Sequence, residues 1–108
     1  MATTYKVLGQ LNPAATTATT LYTVPNATSA VCSTLAICNR GLSTTYRVAI
    51  RPSGVTLANT HYLVYEAAIN QYDTTFLTLG ITLATTDVVT AYAGTADMTF
   101  QLFGSEIS

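Results

Sequence analysis

The segment SAVCSTLAICN, from Ser29 to Asn39, is the longest candidate β-strand in the sequence. Its residues are small, apolar or β-branched, which is typical of a strand that packs on at least one face. The tripeptide Asn39-Arg40-Gly41 follows, and Asn and Gly tolerate the positive φ angles of a turn. The segment therefore shows the pattern to look for in the rest of the sequence, a run of strand-forming residues that ends in a turn.

The two cysteines of this segment raise the question of whether they form a disulfide, bind a metal or act as a redox pair. Alternate side chains of a strand share a face, so Cys32 and Cys38 are expected on the same face, with their Cα atoms about 20 Å apart. A disulfide needs Cα atoms within about 7 Å, and a zinc site needs four ligands where the chain offers 2 Cys and 1 His. The spacing is not that of a CxxC redox motif. We interpret both as reduced, small, buried side chains.

Similar segments recur along the whole chain, and no stretch has the three- and four-residue apolar spacing of a helix. Turn residues, among them Asn12-Pro13, Pro25-Asn26 and Pro52-Ser53-Gly54, separate the segments at intervals of about 8 to 12 residues. This predicts an all-β fold, a single antiparallel β-sandwich domain over residues 1–108, either jelly-roll or immunoglobulin-like. The predicted strands are Tyr5 to Leu11, Thr20 to Val24, Ser29 to Asn39, Thr45 to Arg51, His61 to Ile69, Thr74 to Leu83, Asp87 to Ala93 and Met98 to Phe103.

Alternation within these strands identifies the expected core. In each of three strands one side is apolar while the other is polar or mixed, which is the pattern of a half-buried strand. The inward sets are Tyr46, Val48 and Ile50; Leu77, Leu79, Ile81 and Leu83; and Met98, Phe100 and Leu102.

Charge is scarce: 8% of the residues are charged, against about 25% in ordinary soluble domains, and the formal net charge is -1. A domain with so neutral a surface tends to self-associate, so we expect an assembled protein. Four basic residues are too few to neutralise a run of phosphates, so no direct nucleic-acid partner is expected. No apolar run reaches membrane-spanning length, and MATTYKVL lacks signal-peptide features, so we expect no membrane partner and synthesis in the cytoplasm.

Catalytic and cofactor signatures are not recognised. His61 opens a predicted strand, with no nucleophile motif or orienting group identifiable beside it, and the ordinary interpretation is a surface or strand-end histidine. The carboxylates are scattered, and three of them fall at predicted turns, where Asp commonly accepts hydrogen bonds from its own backbone. The sequence therefore favours a non-enzymatic protein without a metal or cofactor.

Four residues are candidates for a subunit interface: Arg47, Arg51, Tyr62 and Tyr65. Arg47 and Arg51 face the same way, either into solvent or towards a neighbouring subunit. Tyr62 and Tyr65 are expected on opposite faces of their strand, which leaves at least one ring outside the core. Exposed tyrosines are frequent in interfaces.

The runs LYTVPNATSAVCSTLAICNRG, YRVAIRPSGVTLANTHYLVYEAAI and LGITLATTDVVTAYAGTADMTFQLFGSEIS together cover most of the chain. In this order they resemble small virion structural proteins of tailed bacteriophages, particularly those infecting cyanobacteria. LYTVP, the strand ending in CNRG and the closing TADMTFQLFGSEIS are the most specific pieces. The positions of Cys32 and Cys38 hold small aliphatic residues in such proteins, which agrees with the apolar interpretation of the thiols.

The resemblance implies a β-sandwich subunit of the virion that is assembled in the host cytoplasm. The leading hypothesis is a capsid decoration, or cement, protein that binds copies of itself, a trimer being one such assembly, and other virion proteins such as the major capsid protein. The alternative is a tail, neck or fibre-associated subunit, or a module that recognises a host glycan through exposed Tyr rings and the loop from Pro52 to Thr60. The resemblance supplies no catalytic residues.

Overall fold

The structure, a computed structural model, describes residues 2–108; Met1, part of the predicted domain, lies outside them. All eight predicted strands are confirmed, and β8 continues past its predicted end at Phe103 because its last residues pair with the start of β1. Two short 3₁₀ turns, Pro52–Gly54 and Asn59–His61, lie between β4 and β5. The strands are β1 Thr3–Leu11, β2 Thr19–Thr23, β3 Ser29–Asn39, β4 Thr44–Arg51, β5 Tyr62–Ile69, β6 Thr74–Leu83, β7 Val88–Ala93 and β8 Met98–Ile107.

The strands form two four-stranded antiparallel sheets, which confirms the all-β prediction. The first sheet has the order β1-β8-β3-β6 and the second has the order β2-β7-β4-β5. Four strands in each sheet, with nearly every connection crossing between the sheets, is the jelly-roll arrangement. An immunoglobulin-like domain would instead have sheets of four and three strands, with about half of its connections joining neighbouring strands of one sheet. The strand order thus decides between the two predicted sandwich types.

The core lies between the inner faces of the two sheets. Phe100 of β8 meets Tyr46 of β4 edge-to-face, with 6.4 Å between ring centroids. Most predicted core residues are fully buried, and the others, which lie towards sheet edges or strand ends, are partly buried against the core. Tyr46, Val48, Leu83, Met98, Phe100 and Leu102 form the buried group, while Ile50, Leu77, Leu79 and Ile81 form the partly buried group.

A β-bulge in β3 overturns one expectation. The register of β3 with β8 shifts between Cys32 and Thr34 because Ser33 is an extra residue in β3. In the pairing of β3 with β6 the extra residue lies instead in β6, between Thr78 and Ile81. Alternation restarts after the bulge, and Leu35 and Ile37 follow Cys32 on the inner face. Cys38 therefore lies on the outer face, half-buried, while Cys32 is completely buried. The prediction that both cysteines share a face was wrong, because the regular alternation of side chains between the two faces is interrupted at a bulge.

The irregularity extends across the whole first sheet. The β1–β8 register shifts beside Leu8, and Gly80 of β6, with φ +62°, lies next to the Ser33 bulge. Between them, Gly104 of β8 lies so close to the carbonyl oxygen of Val31 that a Cβ atom would collide with it. Bulges bend the strands that contain them, so the sheet is kinked along one line that crosses all four strands.

Both thiols are free, and they should differ in reactivity. Burial raises the pKa of the Cys32 thiol to about 11, so little of the reactive thiolate forms at neutral pH. With a thiol reagent at pH 8, we expect Cys38 alone to react in the folded protein and both cysteines to react in urea. Cys38→Ser should then abolish labelling of the folded protein, and rapid labelling of both thiols in the folded wild type would contradict the structure.

Deletion of Ser33 should be far more damaging than its replacement. Removing one residue reverses the facing of one half of β3, which turns either Cys32 or Leu35 outward, and we expect a loss of more than about 3 kcal/mol in the free energy of unfolding. Ser33→Ala removes only a hydroxyl that donates to the Phe103 carbonyl oxygen at 3.2 Å, and should cost about 1 kcal/mol or less. Urea denaturation followed by circular dichroism measures both; equal losses would contradict a structural role for the bulge.

Candidate functional site

The outer surface of the first sheet carries a groove beside the line of bulges. The groove has a volume of about 610 Å³. Strands β1, β8 and β3 supply its walls, and their bend makes an otherwise flat sheet concave at this point. We call it the first-sheet groove; its lining residues are Tyr5, Lys6, Val31, Ser33, Phe103, Gly104 and Ser105.

The groove is apolar in character and nearly neutral. Tyr5 is 84% exposed, and Val7 beside it is also exposed. Within the four strands of the first sheet, all in the described part of the chain, Lys6 and Glu106 are the only charged residues, and they pair with each other at 3.3 Å. Exposed apolar surface of this kind typically marks a contact with another macromolecule.

Glu106 of β8 joins the first sheet to the second. The Tyr22 hydroxyl of β2 donates to Glu106 Oε2 at 2.6 Å, and Lys6 Nζ donates to Oε1 at 3.3 Å. The hydrogen bond from Tyr22, and then that from Lys6, lower the pKa of the Glu106 carboxyl below its ordinary value, because both donors favour the ionised form. Burial, followed by the hydrogen bond to Glu106, raises the pKa of Tyr22. Both charged side chains of the first-sheet strands are therefore held by partners within the chain.

A second cluster lies on the outer face of the second sheet, around Arg47. Its guanidinium carbon lies 4.5 Å from the ring centroid of Tyr65 and 4.2 Å from that of Tyr92, and Nη2 donates to Glu66 Oε1 at 3.1 Å. This hydrogen bond raises the pKa of Arg47 and lowers that of Glu66, since each charge stabilises the other. Cation–π contact with both rings holds the guanidinium in place.

The Tyr62 and Tyr65 rings meet edge-to-face on this outer face, with centroids 4.9 Å apart. The prediction of opposite faces was wrong, because Leu63 is an extra residue in the pairing of β5 with β4 and changes the alternation. With Asn59 the two rings line a depression of about 290 Å³. Tyr65 is 59% exposed, so its ring is available to a ligand.

The structure thus brings together three of the four predicted interface residues, Arg47, Tyr62 and Tyr65, and places Arg51 apart. Arg51 Nε donates to Thr90 Oγ1 at 3.1 Å, and Nη1 donates to the Val55 carbonyl oxygen at 3.2 Å. It therefore ties the loop at Val55 to β7. Both arginines contact groups of their own chain, and their role in a subunit interface stays a prediction.

The sequence interpretation missed Tyr92 and the residues of the first-sheet groove. Alternation within TTYKVL places Tyr5 and Val7 on one face, which could have suggested an exposed apolar pair. Tyr92 lies opposite Arg47 in the β4–β7 pairing, and that contact depends on knowing which strands are neighbours.

His61 ends the second 3₁₀ turn, and its Nδ1 accepts a hydrogen bond from the Ala58 backbone N–H at 3.0 Å. It therefore has a local structural role at a strand end. In residues 2–108, no three side chains of His, Cys, Asp or Glu are grouped as metal ligands would be. Over the same residues, no helix has the length and apolar character needed to cross a membrane.

The Glu106 contacts predict a pH-dependent stability. The folded-state pKa of Glu106 lies below its ordinary value of 4.5, so its stabilising effect is present above that pH and is lost as the pH falls through the folded-state value. At pH 7, Glu106→Gln should be about 1 to 2 kcal/mol less stable than the wild type, and the difference should shrink at pH 3. Urea titrations at both pH values measure it. In the double variant, Tyr22→Phe should lower the free energy of unfolding by less than it does alone, because Glu106→Gln already disturbs the same hydrogen bond. An equal difference between Glu106→Gln and the wild type at both pH values would contradict the assigned role of the Glu106 carboxylate.

Comparisons with known proteins do not assign a family. No protein-family model, curated protein or solved structure matches the chain. The jelly-roll strand order establishes a fold, and that fold occurs in viral capsid proteins, lectins and cupins alike. The surfaces of the molecule therefore carry the information that bears on function.

Proposed function

We propose that the chain is a non-enzymatic structural protein of a tailed-bacteriophage virion, and that it decorates and stabilises the assembled capsid. The observation that carries the proposal is the first-sheet groove, an apolar and nearly uncharged concavity flanked by the exposed Tyr5 ring. Such a surface fits a protein partner whose contact is apolar. The sequence resemblance to small virion proteins supplies the setting, with assembly in the host cytoplasm.

The physical basis of the stabilisation is multivalency. A subunit that contacts the major capsid protein through its groove and also contacts other copies of itself is held at several points. Each contact can be weak, yet the subunit dissociates rarely because all its contacts must open together. A shell linked in this way resists the outward pressure of packed DNA.

The Tyr62–Tyr65 depression favours a second candidate function, recognition of a host glycan by a tail, neck or fibre-associated subunit. Its exposed Tyr65 ring offers a face on which a sugar ring can stack, and Asn59 offers amide groups for hydrogen bonds. Arg47 holds the Tyr65 ring from one side, so this face is ordered before any ligand binds. A glycan array probed with the wild type and with Tyr65→Ala tests this candidate.

The decoration proposal predicts that Tyr5→Lys weakens binding to particles that lack the protein by about tenfold or more, because it places a charge in a neutral, desolvated contact. Tyr72→Lys is the matched control, since Tyr72 is similarly exposed but lies in the turn between β5 and β6. Binding is measured by co-sedimentation with the particles, and stabilisation by the temperature at which the genome is released.

Because the groove is nearly uncharged, wild-type binding should change little between 50 and 500 mM NaCl, conditions under which exposed ionic contacts are progressively screened. Equal binding by Tyr5→Lys and Tyr72→Lys would contradict the use of the groove. Failure of the wild type to bind or to raise the release temperature would contradict the function itself. Copy number separates the two candidates: hundreds per particle indicate the shell, and a dozen or fewer indicate the tail.

A further inference from the structure

A second buried cluster lies on the outer face of the second sheet, away from the core. Ala49, Val88 and Thr90 are no more than 6% exposed, yet none of them packs in the core cluster between the sheets. The regular pairing of β4 with β7 places them on the same face as Arg47 and Arg51, which is the outer face. Side chains on an outer face are buried only where another part of the molecule covers them.

The cover is the segment 52–61, which joins β4 to β5. Its first 3₁₀ turn contacts β7, where a Cβ atom on Gly54 would lie 3.6 Å from Val88 Cγ2, and its second 3₁₀ turn contacts β4. The segment contributes little buried surface of its own: Leu57 is half-buried, and every other residue from 52 to 60 is exposed. It therefore covers the cluster without being packed into the fold.

Two side chains hold the first part of the segment in this position. Arg51 Nε donates to Thr90 Oγ1 at 3.1 Å, and Arg51 Nη1 donates to the Val55 carbonyl oxygen at 3.2 Å. Asp87 Oδ1, in the turn before β7, accepts from the Ser53 backbone N–H at 2.9 Å. These bonds join the segment to β7 and to the turn that precedes it.

The rest of the segment is held weakly. In the described chain, residues 56–60 make no hydrogen bond to either sheet, and the backbone bonds of the second turn stay within the segment. Ser53 has a φ of +54°, which is strained for a residue other than glycine, so the closed position is opposed by strain. A segment with few buried apolar contacts and few hydrogen bonds has low local stability and can open while the rest of the protein stays folded.

We propose that the segment 52–61 is a lid, held closed by Arg51, that opens away from the second sheet while the sandwich stays folded. Opening uncovers the three buried side chains of the outer face. It also moves Asn59, so the depression that Asn59 forms with Tyr62 and Tyr65 is complete only when the lid is closed. Opening requires neither a particle nor a glycan, so the inference goes beyond the proposed function and does not depend on it.

Thiol labelling at pH 8 in a Cys38→Ser background measures the opening. Val88→Cys places a reporter thiol beneath the lid, and the native Cys32, in the core of the same molecule, reports global unfolding. The reporter thiol should react with iodoacetamide at least tenfold faster than Cys32. Dilute urea should change its rate little, because opening the lid exposes little surface, and should raise the rate at Cys32 steeply. Mass spectrometry of the digested protein measures both rates.

Arg51→Met tests what holds the lid closed. Met keeps the apolar part of the side chain and removes its hydrogen bonds, so the reporter thiol should react at least tenfold faster than it does with Arg51 in place. Arg40→Met is the matched control, since Arg40 also donates a hydrogen bond at the surface, to Asn12 Oδ1 at 3.1 Å, but lies beyond the other end of β4. It should leave the rate at the reporter thiol unchanged, because its contacts are the same whether the lid is open or closed.

A reporter thiol that reacts as slowly as Cys32, with the same urea dependence, would overturn the lid, because the segment would then open only on global unfolding. A reporter thiol that reacts as fast as in the urea-unfolded chain would overturn it too, because nothing would then cover the position. Equal effects of Arg51→Met and Arg40→Met would refute the role of Arg51. If circular dichroism shows that Val88→Cys does not fold, Thr90→Cys supplies the reporter at another covered position, with the same expected results.

Discussion

The single extra residue at Ser33 is the constraint on which the rest of the fold depends. Before it, Ala30 and Cys32 face the core; after it, Leu35 and Ile37 do. A regular strand would expose one of these pairs, because strict alternation cannot turn both inward. β6, beside β3, and β1, on the far side of β8, have extra residues of their own at the same level, so the bend in one strand becomes a bend of the whole first sheet. The concave groove is a product of that shared bend.

Most of the few charged side chains of the molecule form ion pairs or hydrogen bonds within the chain. Lys6 pairs with Glu106 across the first sheet, and Arg47 pairs with Glu66 across the second. Arg51 holds the segment that follows β4. Salt bridges at a surface add little stability individually, but here they occupy charges that would otherwise lie free at the surface. The neutral exterior thus results from the pairing of charges as well as from their small number.

The sequence predicted where the strands lie, but it predicted wrongly which side chains share a face in β3 and β5. Both errors have one physical reason. Turn residues fix where a strand ends, and apolar alternation fixes its inner side where the strand is regular, as for Phe100 and Leu102. A bulge changes the alternation without a strong local signal: neither Ser33 nor Leu63 is a residue type that identifies one. Contacts such as that between Arg47 and Tyr92 depend on strand neighbours far apart in the sequence, and alternation within one strand cannot provide them.

The position of β8 between β1 and β3 determines how the chain can acquire its structure during synthesis. The ribosome produces β1 before all the other strands and β8 after them, so the first sheet cannot close until β8 has emerged. Until then β1 and β3 lack the strand that joins them, and contacts between such distant segments form slowly. Until β8 has emerged, cotranslational folding is therefore limited to the second sheet and to the pairing of β3 with β6.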